Sequence, residues 1–85
     1  ARAVGERLLR LSNNIQILVV THSPQVAAVG ANHWHVFKIK KNNIQATSAK
    51  NLSYTDREEE IARMLSGLEI TDEARAAASN LLKGK

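Results

Sequence analysis

Thr21-His22-Ser23-Pro24-Gln25 is the stretch of this sequence best equipped for chemistry. It puts a titratable imidazole directly after Ile15-Gln16-Ile17-Leu18-Val19-Val20, a nearly continuous apolar run rich in β-branched residues, the pattern of a strand covered on both faces. In open α/β sheets ligands bind just outside the carboxyl ends of the strands. A histidine there can hydrogen-bond a phosphate oxygen and help hold an attacking water, with either ring nitrogen donating according to its protonation state. The plainer alternative is a histidine that closes a turn or caps the next helix. Ser23 beside His22 also raises nucleophilic hydrolysis. Adjacent residues rarely meet productively, however, and no Gly-x-Ser-x-Gly elbow surrounds the serine.

Two further groups have chemistry-bearing types. His33 and His35 would project to one face of a strand and could begin a zinc or copper site, but no third ligand is evident, so no metal site is assigned. Trp34 and Val36 are expected on the opposite face, packed under the helices. Lys38, Lys40, Lys41 and Lys50 could contact a nucleic-acid backbone, although no aromatic stacking series or recognition helix accompanies them. The acidic run Asp56, Glu58, Glu59 and Glu60 follows soon after and would repel such a backbone nearby.

The elements that must position these residues are legible in outline. Val4, Leu8 and Leu11 recur at helical spacing between Arg2 and Leu11, so an amphipathic helix is expected before the apolar run, and helix followed by buried strand suggests a parallel α/β sheet. Ser23 suits an N-cap and Pro24 the first helical position, opening a short helix through Val29 that Gly30 stops. Residues 33–40 and 44–48 flank Lys41-Asn42-Asn43, a polar link whose asparagines tolerate left-handed geometry, which predicts an antiparallel hairpin. Thr55 and Glu58 have capping-box spacing ahead of Ile61, Met64 and Leu65, with Gly67 placed as the C-cap. Thr71 caps a last helix with an apolar stripe of Ala74, Ala78, Leu81 and Leu82. No internal repeat or flexible linker divides residues 1–85, which are read as one domain.

The run Gln16-Ile17-Leu18-Val19-Val20-Thr21-His22-Ser23-Pro24-Gln25-Val26-Ala27-Ala28 resembles the switch-histidine segment of the RecN family, in the SMC-like branch of ABC-type ATPases. The likeness continues into Arg57-Glu58-Glu59-Glu60-Ile61-Ala62-Arg63-Met64-Leu65-Ser66-Gly67 and Ile70-Thr71, which resemble the family's closing helices. It covers nearly the whole chain in matching order, with residues 32–50 the least distinctive. The resemblance implies the C-terminal segment of an ABC-type ATPase head: part of a P-loop NTPase lobe with a short parallel-type strand, a β-hairpin and two C-terminal helices. It gives His22 the catalytic role and Thr21, His22 and Ser23 the nucleotide contact. It also implies ATP and Mg2+ as cofactors of the full-length protein, bound largely by upstream residues of the same head. A homodimer of heads, DNA engaged through the full assembly, and a role in double-strand break repair and recombination complete the expectation. The glycines Gly5, Gly30, Gly67 and Gly84 cannot build a Gly-x-x-x-x-Gly-Lys-Ser/Thr loop, and no acid ends the Ile15 to Val20 strand, so the chain alone is expected to bind ATP with magnesium weakly or not at all and to hydrolyse none. Leu65-Ser66-Gly67-Leu68 resembles the family's signature motif only superficially, because Gly67 falls at a predicted helix C-terminus, where backbone N–H groups do not point outward at an anion.

Length and charge set the outer bounds. A chain of 85 residues buries about 60–65% of its unfolded surface, which argues against a free-standing multi-step enzyme. No cysteine is present, which removes disulfides, thiolate zinc sites and cysteine nucleophiles together. The longest apolar run is far shorter than the ~20 residues of a membrane span, and no secretory stretch opens the chain. A soluble, cytoplasmic, nucleoid-associated protein with no membrane partner is the expectation. The formal charge of +4 and a pI near 9.9 keep a polyanionic partner in view, and the alternative reading is a free-standing basic nucleic-acid-binding module without nucleotide chemistry.

Overall fold

The computed structural model describes residues 1–84. Four helices and one hairpin follow in chain order: α1 (Arg2–Leu11), α2 (Pro24–Val29), β1 (Trp34–Lys41), β2 (Ile44–Asn51), α3 (Tyr54–Ser66) and α4 (Asp72–Leu82). The architecture is a small α/β arrangement with a two-stranded antiparallel sheet. No described helix is long and apolar enough to cross a membrane.

Local chemistry explains most of the boundaries. Ser23 accepts the Val26 N–H, and Pro24, which has no N–H to strand, opens α2 as expected. Thr71 does the same for α4 through Ala74 N–H. The cap of α3 is Ser53, which accepts from Asp56 N–H, so the helix begins a residue before Thr55 and the capping box proposed there does not form. Gly67 ends α3 at a φ of 85°, a left-handed conformation that glycine adopts without steric cost. That position also disposes of the signature-like Leu65-Ser66-Gly67.

The hairpin turns on Asn42 and Asn43 alone, with φ of 54° and 63°, while Lys41 is paired with Ile44 as the last rung of the ladder. Positive φ at both central residues of a two-residue loop is the type I′ turn, whose twist matches that of the strands. The ladder runs from Trp34 opposite Asn51, a longer pairing than the sequence pattern of β2 suggests.

The apolar run does not become a strand. Residues 16–20 have no ladder partner, and Leu18 and Val20 are 88% and 96% exposed, so the parallel-type strand covered on both faces is absent from the described residues. A strand exists only through its neighbour's hydrogen bonds, and β1 and β2 pair with each other rather than with residues 16–20. Trp34 and Val36 differ from expectation for a related reason. They are 55% and 63% exposed, whereas His35 and Phe37 take the half-buried side.

The core is correspondingly small. Ala28, Ile61, Ala62, Ala74 and Ala78 are its buried apolar residues, with Met64, Ile70, Leu81 and Leu82 packed around them. Helix α1 joins through Gly5, where an added Cβ would lie 3.0 Å from Val29 Cγ2, while Val4 and Leu11 of its expected apolar face remain exposed. None of the four helices packs its backbone on the hairpin, which stands off as an arm. The radius of gyration is 14.1 Å, against about 12 Å for a compact chain of this length.

Candidate functional site

His22 occupies the junction between the apolar segment and α2, and two hydroxyls hold its turn. Ser23 N–H donates to Thr21 Oγ1 at 2.9 Å, closing a short side-chain turn around the histidine. Ser23 Oγ accepts from Val26 N–H at 3.3 Å and donates to Gln25 Oε1 at 3.2 Å. The imidazole between them is exposed. Thr21 and Ser23, named with His22 as ligand-contacting residues, are thus engaged in shaping the turn, which leaves the histidine as the outward-facing group.

The turn opens onto a broad cleft of about 1000 Å³ whose walls include Leu18, Val20, His22, Trp34, Arg63 and Met64. Apolar residues from the unpaired segment form one side, and β1 and α3 form the other. His33, His35, Glu60 and Arg63 of its lining belong, with the neighbouring Arg57, to a cluster of polar groups that sequence reasoning did not connect. Arg57, on the first turn of α3, directs Nη2 at the carbonyl oxygens of Ala27 and Ala28, each at 3.1 Å, and at that of Gly30. These are carbonyls at the end of α2, which have no acceptor role left within the helix, and a cation suits the negative end of the helix dipole. Burial lowers the Arg57 pKa from its ordinary value. The only sequence signal for this role was a lone arginine in the first turn of a helix, where an acid would be the usual choice.

Next to it, His33 Nδ1 is buried without a hydrogen-bond partner among the described residues. Burial first, and the Arg57 charge second, push the His33 pKa below its ordinary 6.5. Glu60 receives two bonds from Arg63, at 2.9 and 2.6 Å, and lies 4.0 Å from His35 Nε2. The Arg63 hydrogen bond holds the Glu60 carboxyl below its usual range despite partial burial. The structure therefore brings His33 and His35 to one side of β1 as their spacing required, but beside arginines and one carboxylate. Among the described residues no group of three His, Asp or Glu side chains could hold a metal. The glycines occur inside α1 and after the ends of α2, α3 and α4, so they form no loop of converging N–H groups.

With this arrangement in place, comparison with known proteins shows which family the chain resembles along its length. It is homologous to a C-terminal part of the DNA repair protein RecN. Identity is 47% over 83 residues to RecN of Xylella fastidiosa (strain 9a5c), 39% over 83 residues to that of Bacillus subtilis (strain 168), and 42% over 82 residues to that of Rickettsia felis. These matches take in 96–98% of the chain and 14–15% of each relative, so the chain spans about a seventh of the length of the proteins it matches. No protein-family model matches it.

Proposed function

We propose that this chain is the C-terminal segment of a RecN-like ATPase head working in DNA double-strand break repair and recombination, and that it supplies the switch histidine, His22, to an ATP site completed by the rest of the head. The observation that carries this reading is the exposed imidazole held at the cleft mouth by Thr21 and Ser23, in a chain homologous to RecN along nearly its whole length. His22 would donate a hydrogen bond to the γ-phosphate or to the attacking water. The phosphate cradle and the Mg2+ ligands would come from the remaining head. Heads would pair as a homodimer in the cytoplasm, with DNA engaged through the full assembly.

The role has a kinetic signature. An interaction that matters mainly as the attacking water aligns affects turnover far more than nucleotide affinity. In an intact head carrying these residues, His22→Ala is expected to reduce ATP turnover by about 100-fold, the scale of losing one positioned transition-state contact, and to leave the nucleotide Kd within about threefold. Steady-state hydrolysis and calorimetric titration of the same preparation measure the two quantities. Equal losses in both would remove the switch role from His22.

A further inference from the structure

The chain's net charge is located in one element. Of its twelve Lys and Arg residues, Lys38, Lys40, Lys41 and Lys50 lie on the hairpin, which contains no acid. The eight remaining basic residues match the eight Asp and Glu, so the formal +4 of the molecule is the +4 of the hairpin. The acids of α3 that follow it in sequence are mostly engaged: Asp56 lies 3.7 Å from Lys50, Glu59 pairs with Arg75 and Glu60 with Arg63. Lys50 is thereby tied to the base of the arm, and Lys38, Lys40 and Lys41 are its exposed charges toward the tip.

The register spreads those charges over both surfaces of the ribbon. Lys38 and Lys40 lie on one face opposite Thr47 and Gln45, and Lys41 lies on the other opposite Ile44, because side chains alternate along a strand. No helix backbone lies against the arm, and beyond His35 and Phe37 its residues up to the turn are exposed. A two-stranded ribbon fits the major groove of duplex DNA, where phosphate walls run along both sides.

We propose that the hairpin is a sequence-nonspecific DNA-binding arm that enters the major groove of a duplex, with Lys38, Lys40 and Lys41 on backbone phosphates. This is separate from the nucleotide reading, since arm and histidine belong to different elements and neither site needs the other. The ligand chemistry is a paired phosphodiester backbone. The polar side chains of Gln45 and Thr47, beside the lysines, would contact phosphates and carry no base readout.

Fluorescence anisotropy of the 85-residue chain with a labelled duplex of about two helical turns tests this across a salt series. Three phosphate contacts predict a log–log salt slope of about −3, and each of Lys38→Gln, Lys40→Gln and Lys41→Gln should reduce its magnitude by about 1. The triple variant should lose at least about tenfold in affinity, the scale expected when phosphate contacts are removed at modest salt. A control triple with the same charge change on the helices, Arg7→Gln, Arg10→Gln and Lys83→Gln, should lose little. Circular dichroism on each variant confirms that the fold is retained, and Lys38→Arg should keep both affinity and slope. Equal losses in the control triple would reduce the effect to net charge and overturn the proposal. So would binding to a single strand of the same length as tight as to the duplex, which would remove the groove.

Discussion

At the scale of single residues, Arg57 has the largest structural role outside the core. One guanidinium nitrogen gathers three carbonyls at the end of α2 and so joins α3 to the short helix that starts beside His22. Hydrogen bonds from a charged donor contribute about 1.5–3 kcal/mol, and Arg57→Ala also leaves those carbonyls unmatched, so a loss of about 2–3 kcal/mol is expected. In a chain this short that lowers Tm by roughly 10 °C or more, measurable by thermal circular dichroism. Arg57→Lys should recover only part of the loss, because an ammonium lacks the planar fork. His33 makes the fold sensitive to acid. Its folded pKa lies below its unfolded one, so the unfolded chain takes up a proton first as pH falls. The stability it contributes is complete above pH 6.5 and is lost progressively below it, down to the lowered folded pKa. Glu60, also lowered, contributes stability that is lost only further down, as pH falls from 4.5 through its folded pKa. Urea titrations at descending pH should therefore show a midpoint that drops first as pH falls below 6.5, and His33→Gln should flatten that first drop while leaving the later one.

Elements differ in how far their own residues determine them. The caps of α2 and α4, the glycine end of α3 and the paired asparagines of the hairpin were readable because each rests on hydrogen bonds or φ preferences within a few residues. The turn offers a direct check. Asn43 has a φ of 63°, and glycine adopts that geometry with less strain, so Asn43→Gly should stabilise the hairpin by up to about 1 kcal/mol in a thermal melt. A destabilised variant would mean that the asparagine side chain contributes more than its backbone tolerance. The cap of α3 was misplaced by two residues because Ser53 and Thr55 are both competent caps, and the structure uses Ser53, whose hydroxyl accepts from Asp56 N–H.

At the scale of the molecule, the exposed surface is 6605 Å², whereas a compact globular chain of 9.3 kDa exposes about 5000 Å². The excess of about 1600 Å² compares with the total area that a specific protein interface buries. Leu18, Val20, Trp34 and Val36 contribute to it around one cleft, beside backbone groups of residues 16–20 that have no ladder partner. Unpaired backbone next to apolar side chains is a template for another chain to pair with. The isolated chain is therefore expected to self-associate at structural concentrations, with light scattering on a gel-filtration column reporting a dimer or larger species. A clean monomer across a hundredfold range of concentration, with cooperative unfolding, would show that this surface is stable in water by itself.

Sequence alone determined the features whose causes are local: four helices with most of their ends, a hairpin with its turn residues, the placement of His22 after an apolar run, and the kinship with RecN. It could not decide whether Ile15 to Val20 pairs. β-branched apolar residues favour a covered strand, but the neighbour that would complete one lies elsewhere in any fold that contains it. Nor could it connect Arg57 with Ala27, Ala28 and Gly30, nearly thirty residues away, or His33 with Arg57, since those contacts follow from how α2, β1 and α3 meet. The burial of Trp34 depended on the same question. Alternation assigned it a face, and only the tertiary structure decided that the other face is the half-buried one, with His35 reaching Glu60 of α3.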